Sequence, residues 1–345
     1  MLNFPVFKVA AVQAAPVFLD TPATIDKACR LVREAAGQGA ALVVFPEVFV
    51  SAYPYWSWVG NPVAGSPWFQ RLCQSAVEVP GPEMARVAQT ARDCGVHVAL
   101  GINERAVRSL TTIYNTQLLI GPEGQLLGHH RKLVPTWAEK LTWAPGDGAG
   151  LRVHRTAIGP IGMLACGENT NTLARFALLA QGELVHLASY IALPVAPPDY
   201  DMAEAIKVRA MAHCFEGKVF TVVACSTIAP ETVDLMEQAF PGAGALLARK
   251  NSAWSGVIGP DGRVVGAPLV DDEGIVYAEI DLNRCIQPRQ MHDITGHYNR
   301  FDVFDLRVNR RRLQPATFLD PAPEVLPDLL GADRLPSTSP SGESA

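Results

Sequence analysis

Apolar and polar positions along the chain switch repeatedly between two periodicities. Phe7-Lys-Val-Ala-Ala-Val-Gln13 reads as a strand. Thr21 then caps a helix with Pro22 at its first position, Ile25, Ala28, Val32 and Ala35 recur at helical spacing, and Gly37 and Gly39 end it. Ala41-Leu-Val-Val-Phe-Pro-Glu47 is a short, almost wholly apolar run of the kind buried on both faces of a sheet. A helix near Glu83–Cys94 and a buried strand at Val96–Leu100 follow.

Next comes a hairpin, Thr116–Ile120 and Gln125–Gly128 around Gly121-Pro-Glu-Gly124, where Pro and Gly supply the fixed and permissive φ of a reverse turn. The same device returns at Gly259-Pro-Asp-Gly262, between Ser255–Ile258 and Arg263–Gly266. Ile158-Gly-Pro-Ile-Gly162 introduces the strand that ends at Cys166. Helices at Thr172–Gln181 and Met202–Gly217 alternate with strands at Leu184–Tyr190, Val219–Cys225 and Ile275–Ile280. Alternating strands and helices predict an α/β domain with helix-covered sheets, and the matched hairpins suggest an internally duplicated layout. The stretch Ser226–Asn251, rich in Ala, Gly and Pro, reads as a surface loop that could serve as a contact or lid region. From Pro315 the composition turns to Pro, Asp, Ser and Gly, so one folded domain (1–314) and a disordered tail (315–345) are expected.

Bulk properties narrow the functional classes. The 345 residues are 48% hydrophobic, ample for a large core, and the net charge of −5 argues against a general nucleic-acid binder. Arg310, Arg311 and Arg312 are the one tight basic cluster and read as solvated surface. The first residues lack a secretory pattern, and no apolar run is long enough for a membrane span; Leu184–Pro198 is broken by His186, Ser189 and prolines. The seven cysteines (29, 73, 94, 166, 214, 225 and 285) are odd in number and scattered, which predicts free thiols and a cytoplasmic location.

Three polar residues close or follow apolar stretches: Glu47, Lys132 in His129-His-Arg-Lys-Leu-Val-Pro-Thr136, and Cys166 after Ile161-Gly-Met-Leu-Ala. The carboxyl ends of strands form the ligand crevice of α/β folds, and a thiol ahead of a helix N-terminus is expected to gain thiolate character. Singly, each has a plain structural reading: a small buried hydrophobe, a turn carboxylate, a surface ammonium. His129 and His130 are adjacent, so on a strand they face opposite ways and do not form a metal pair.

Together, Phe45-Pro-Glu47, Arg131-Lys-Leu-Val-Pro-Thr136 and Cys166-Gly-Glu168-Asn169 resemble the nitrilase superfamily of carbon–nitrogen hydrolases, in order and over nearly all of the chain before the tail. Tyr53-Pro-Tyr-Trp-Ser-Trp58, Lys132–Glu139, Trp143-Ala-Pro-Gly-Asp-Gly148 and Gly296-His-Tyr298 are similar to segments of its nitrilase branch. The resemblance implies a four-layer αββα sandwich and hydrolysis of a nitrile to carboxylic acid and ammonia through a cysteine thioimidate and thioester. Cys166 would be the nucleophile, Glu47 the general base, Lys132 the stabilising cation, and Glu139 a second active-site carboxylate. Tyr53, Trp56, Trp137, Gly167 and Tyr190 are candidate substrate contacts. Nitrilases commonly carry Trp directly after the nucleophile; Gly167 departs from this and should widen or reshape the pocket. No metal or cofactor is needed, the partner is a small nitrile, and a homo-oligomer built from dimers, possibly spiral, is implied. Alternatives are an amidase, a nitrile-to-amide hydratase at the same site, or a catalytically silent binding scaffold.

Overall fold

The computed structural model describes residues 4–197, 200–316 and 319. The chain divides after Arg312, and the unit up to that residue is described below. The tail expected from Pro315 lies outside the described residues except for Pro315, Ala316 and Leu319. No helix among the described residues is long and apolar enough to cross a membrane.

Two six-stranded sheets carry the architecture. In the first, β1 (Val6–Gln13), β2 (Ala40–Val44) and β3 (His97–Arg105) run parallel. The hairpin of β4 (Ile113–Ile120) and β5 (Leu126–Arg131) extends one edge, and β12 (Gly274–Asp281) lies antiparallel to β1 on the other. In the second, β7 (Gly159–Ala165), β8 (Val185–Tyr190) and β9 (Phe220–Cys225) run parallel, flanked by the hairpin of β10 (Trp254–Ile258) and β11 (Val264–Val270) and by the short β6 (His154–Thr156). The orders β12-β1-β2-β3-β4-β5 and β6-β7-β8-β9-β10-β11 are the same order shifted by six strands, as an internal duplication requires. The matched turns occupy equivalent places. Gly124 and Gly262 have φ of +79° and +75°, and each donates its N–H over 2.9 Å to the carbonyl of the glycine that opens its turn.

Strand periodicity explains the layering. Val9, Ala11, Leu42 and Val44 point into a core shared with Met163, Leu187 and Val222 of the second sheet. Ala10, Val12 and Val43 point the other way, onto α1 (Thr21–Gly37) and α4 (Pro82–Cys94). The outer face of the second sheet is covered by α5 (Thr172–Leu179) and α6 (Met202–Gly217). The result is an αββα sandwich.

Three local expectations change. Asp20, one residue before Thr21, caps α1 through a 3.0 Å bond from Ala23 N. Residues 56–75, unassigned from pattern, form α2 (Trp56–Val59) and α3 (Pro62–Ser75). The Ser226–Asn251 loop contains α7 (Pro230–Ala239) and α8 (Ala243–Leu247), whose Met236, Ala243 and Leu247 are buried against Tyr53, Trp56 and Trp143. The remaining helix, α9 (Ile286–Arg289), follows β12.

Glu104 at the end of β3 fastens the segment that leads to Lys132. It accepts hydrogen bonds from Thr116 Oγ1 (2.7 Å) and Arg131 Nε (3.0 Å) and contacts His129 Nε2 at 2.8 Å. Burial alone would push its carboxyl up, but His129 and Arg131 outweigh burial and hold it at about 2, below the ordinary 4.5. A depressed carboxyl contributes stability that is complete above pH 4.5 and lost as pH falls from there toward 2. Glu104→Gln should therefore cost about 2 kcal/mol at neutral pH and flatten part of the acid dependence, read by urea unfolding across that window. Unchanged stability at neutral pH would contradict the role.

Candidate active site

Glu47 follows β2 in a turn that β3 presses closely: a side chain at Gly101 would overlap Pro46 O and Val48 N. Its backbone N–H bonds Tyr190 O of the other sheet at 3.2 Å. The carboxylate is almost fully buried; Oε1 accepts from Lys132 Nζ (2.8 Å) and Asn115 Nδ2 (2.7 Å), and Oε2 has no partner among the described residues. Lys132 follows β5, with its backbone N–H on Asn115 O at 2.8 Å and its carbonyl accepting from Gly146 N at 2.8 Å. A side chain at Gly146 would collide with that backbone, which explains a glycine in the Trp143–Gly148 segment.

The Lys132 ammonium also donates to Glu139 Oε2 at 2.7 Å and lies 5.8 Å from the centre of the Trp143 ring. Glu139 is held by Thr136 N (2.7 Å) and by the Tyr53 hydroxyl (2.9 Å), which itself accepts from Trp58 Nε1 (2.8 Å). Two carboxylates thus flank one ammonium, none with more than 1% side-chain exposure. Burial would lower the Lys132 pKa, but the charges of Glu139 and Glu47 raise it well above the ordinary lysine value. Burial and the Glu139 charge raise the Glu47 carboxyl, against the opposing pull of Lys132.

Cys166 ends the β7 segment and opens a 3₁₀ turn, Cys166–Thr170. It adopts φ +48°, retains 6% exposure, and its Sγ bonds no described residue. The thiol lies within the electrostatic reach of Glu47, Lys132 and Glu139. The expected thiolate character is not what this setting favours. Burial, followed by the Glu47 charge, raises the thiol pKa well above its ordinary value, and the helix α5 is capped by Asn171, five residues further on.

Glu168 staples this turn to the Lys132 segment. Its carboxylate accepts from Ala165 N (2.8 Å) and Leu133 N (2.6 Å) and contacts His130 Nε2 at 3.0 Å. Asn169 Nδ2 donates to Cys166 O (3.0 Å) and Leu164 O (3.3 Å), and its Oδ1 meets His186 Nε2 at 2.8 Å. His186 Nδ1 lies 2.8 Å from Glu183, whose second oxygen is 3.0 Å from His213 Nε2. Glu183, His186 and His213 are the one group among the described residues with ligand atoms close enough to share a metal ion. Their contacts have hydrogen-bond length and account for the cluster without one. Sequence reading placed Asn169 in the cysteine motif without a role and missed Asn115 and this cluster; the available signal was His186, a polar residue inside an apolar strand.

The candidate substrate contacts separate. Tyr53 is buried and orients Glu139, while Trp56 packs between Phe18 and Trp68. Trp137 is 76% exposed, edge-on to Trp58. Tyr190 is fully buried, and Gly167 is half-exposed, facing Thr136 Oγ1. His129 and His130 point to opposite sides of β5, toward Glu104 and Glu168. His297 is exposed and contacts Gln290 O.

The carbon-nitrogen hydrolase family matches residues 8–290. An aliphatic nitrilase of Rhodococcus rhodochrous is 37% identical over 90% of this chain and 84% of its own length. A nitrilase of Paraburkholderia phymatum is 36% identical over 93% of this chain and 94% of its own. Among solved structures, the NitFhit protein of C. elegans shares the fold with a TM-score of 0.68 at 19% identity, over 91% of this chain and 70% of that one. With two sheets of matching order and a buried Glu–Lys–Glu cluster beside a cysteine turn, the chain belongs to the carbon–nitrogen hydrolase family.

Proposed function

We propose that this chain hydrolyses a nitrile to the carboxylic acid and ammonia, with Cys166 as nucleophile. The observation that carries the reading is the Lys132 ammonium clamped between Glu47 and Glu139 in the same buried site as the thiol. Identity of 37% and 36% to proteins named as nitrilases supports the nitrile as substrate.

Burial and the Glu47 charge raise the thiol pKa, so attack and deprotonation are coupled: Glu47 takes the Sγ proton as sulfur bonds the nitrile carbon, and the proton passes to nitrogen to give a thioimidate. Glu47 Oε2, free of partners among the described residues, is the oxygen available for this. Water activated by Glu47 adds to the thioimidate carbon, ammonia leaves, and a thioester remains. A second water cleaves it, releasing the acid and restoring the thiol. Lys132, with the Gly167 N–H in the first turn, stabilises charge that develops on the reacting atoms. Glu139 holds Lys132 in place, and Tyr53 holds Glu139. A side chain at position 167 would crowd the Thr136 hydroxyl, whose Oγ1 would lie 3.0 Å from its Cβ, so a larger residue there would have to displace Thr136. The free cysteines support a cytoplasmic setting. Assembly as a homo-oligomer built from dimers is part of this reading, and exposed Phe301, Val303 and Phe304 are apolar surface available for such a contact.

Incubation with nitrile and amide panels, assaying acid, amide and ammonia, should yield acid and ammonia from nitriles; amide as the main product would assign a hydratase instead. Cys166→Ala should abolish turnover with the fold intact by circular dichroism, and near-wild-type hydrolysis would refute the nucleophile. Lys132→Ala should cost about 3 kcal/mol of transition-state stabilisation, roughly a hundredfold in kcat/KM or more. Loss of less than about tenfold would remove its role. The raised Glu47 carboxyl must be ionised to act as base, so the acid limb of the kcat/KM profile should lie above the ordinary 4.5.

A further inference from the structure

We propose that Arg209 and Tyr190 form an anion-recognition pair beside Cys166, so that the preferred substrates are short nitriles carrying a carboxylate. This specificity rests on the nitrile reading above.

Tyr190 ends β8 with its side chain fully buried, and its hydroxyl has no partner among the described residues. Other buried tyrosines near the site are satisfied: Tyr53 donates to Glu139 and Tyr55 to Ala192 O at 3.0 Å. A hydroxyl stripped of water without a partner costs stability that Phe would avoid, so the protein alone gives no reason for the oxygen. Arg209, on α6, reaches in from a half-exposed position. Its Nε donates to Thr170 Oγ1 at 2.7 Å and its Nη2 to Tyr200 at 2.9 Å, both neutral groups, while Nη1 is buried with no partner. Arg131 and Arg175 face Glu104 and Glu216, whereas Arg209 faces no carboxylate among the described residues.

The two unmatched groups belong to one place. Thr170 closes the turn that Cys166 opens, which ties the guanidinium to the nucleophile's own backbone. The Arg209 charge acts on both the Cys166 thiol and the Tyr190 hydroxyl. Both vacant groups can donate, and the Arg209 charge faces no carboxylate among the described residues. Their complement is an acceptor-rich anion whose two oxygens can be shared between them, as a carboxylate provides. Both donors border the cysteine turn, so the carboxylate must sit a short distance from the nitrile carbon.

The test compares 3-cyanopropanoate with its neutral isostere, 4-methylpentanenitrile, in wild type and in Arg209→Gln and Tyr190→Phe variants. The wild type should favour the anion in kcat/KM. Arg209→Gln should shrink that preference about thirtyfold, the size expected for losing a charged hydrogen bond. Tyr190→Phe, which removes a buried unpartnered oxygen and so retains the fold, should shrink it about fivefold. Wild-type preference for the neutral nitrile, or equal loss on both substrates in Arg209→Gln, would overturn the pair; equal loss would make Arg209 an electrostatic support for the thiol. Calorimetric binding of 3-cyanopropanoate to Cys166→Ala, with and without Arg209→Gln, reads the pair without turnover. Arg209-dependent binding with no hydrolysis of any nitrile would leave the anion site standing and remove the nitrile reading. Absence of binding would remove the anion site.

Discussion

The site depends on one buried ammonium. Lys132 has no side-chain exposure, and an isolated cation at such a depth would be forced to lose its proton or open the fold. Glu47 and Glu139 make it tolerable, but they overcompensate: two carboxylates surround one ammonium. That excess negative charge sets the rest of the chemistry. It holds Lys132 as a cation and adds to the burial that raises both the Glu47 carboxyl and the Cys166 thiol.

The fold serves this cluster by aiming strand ends at one another. The first half of the duplicated chain supplies acid and cation from the ends of β2 and β5; the second supplies the thiol from the end of β7. Equivalent topology does not give equivalent chemistry, because the strand ends carry different side chains in each half. Two ties hold the halves in register at the site: the Glu47 N–H on Tyr190 O, and Glu168, which bonds Leu133 and Ala165 at once. Glu168 keeps Lys132 and Cys166 beside each other although neither touches it through its own side chain.

Much of this was legible in the sequence, for identifiable reasons. Strands buried on both faces are continuous apolar runs, so a polar residue at their ends stands out, as Glu47 and Cys166 do. The GP[DE]G turns carry their own φ requirement at Gly124 and Gly262 and announced both hairpins. By contrast, α3 contains Pro67 and Gly65, which blur helical periodicity, and its neighbours α7 and α8 bury short faces against residues far away in the chain. Asn115 reaches Glu47 across 68 positions and His186 reaches Asn169 across 17, contacts that no local pattern encodes. The setting of Cys166 was out of reach for the same reason: a strand-to-helix junction favours a thiolate locally, whereas burial and the Glu47 charge, which raise its pKa, are tertiary facts. Trp56 and Trp137 lie close to motif residues in sequence, but adjacency does not fix direction, and the two point to different surroundings.

Five of the nine positive-φ non-glycine residues among those described lie around the candidate site. Val48, Ser51, Ala52, Trp137 and Cys166 all adopt positive φ without being glycine, each at a cost of about 1–3 kcal/mol. Each stretch is anchored by a bond that a relaxed chain would not make. Asn103 Nδ2 donates to Val50 O and Ala52 O (3.2 and 2.8 Å), the Thr136 backbone bonds Glu139 ahead of Trp137, and Asn169 holds the carbonyl of Cys166. Asn103 in turn accepts from Trp143 and Asn169 is fixed by His186, so the anchors are themselves buried and immobile. The left-handed turn at Cys166 is thus over-determined from outside the reacting atoms. The thiol does not need a hydrogen bond of its own to be aimed.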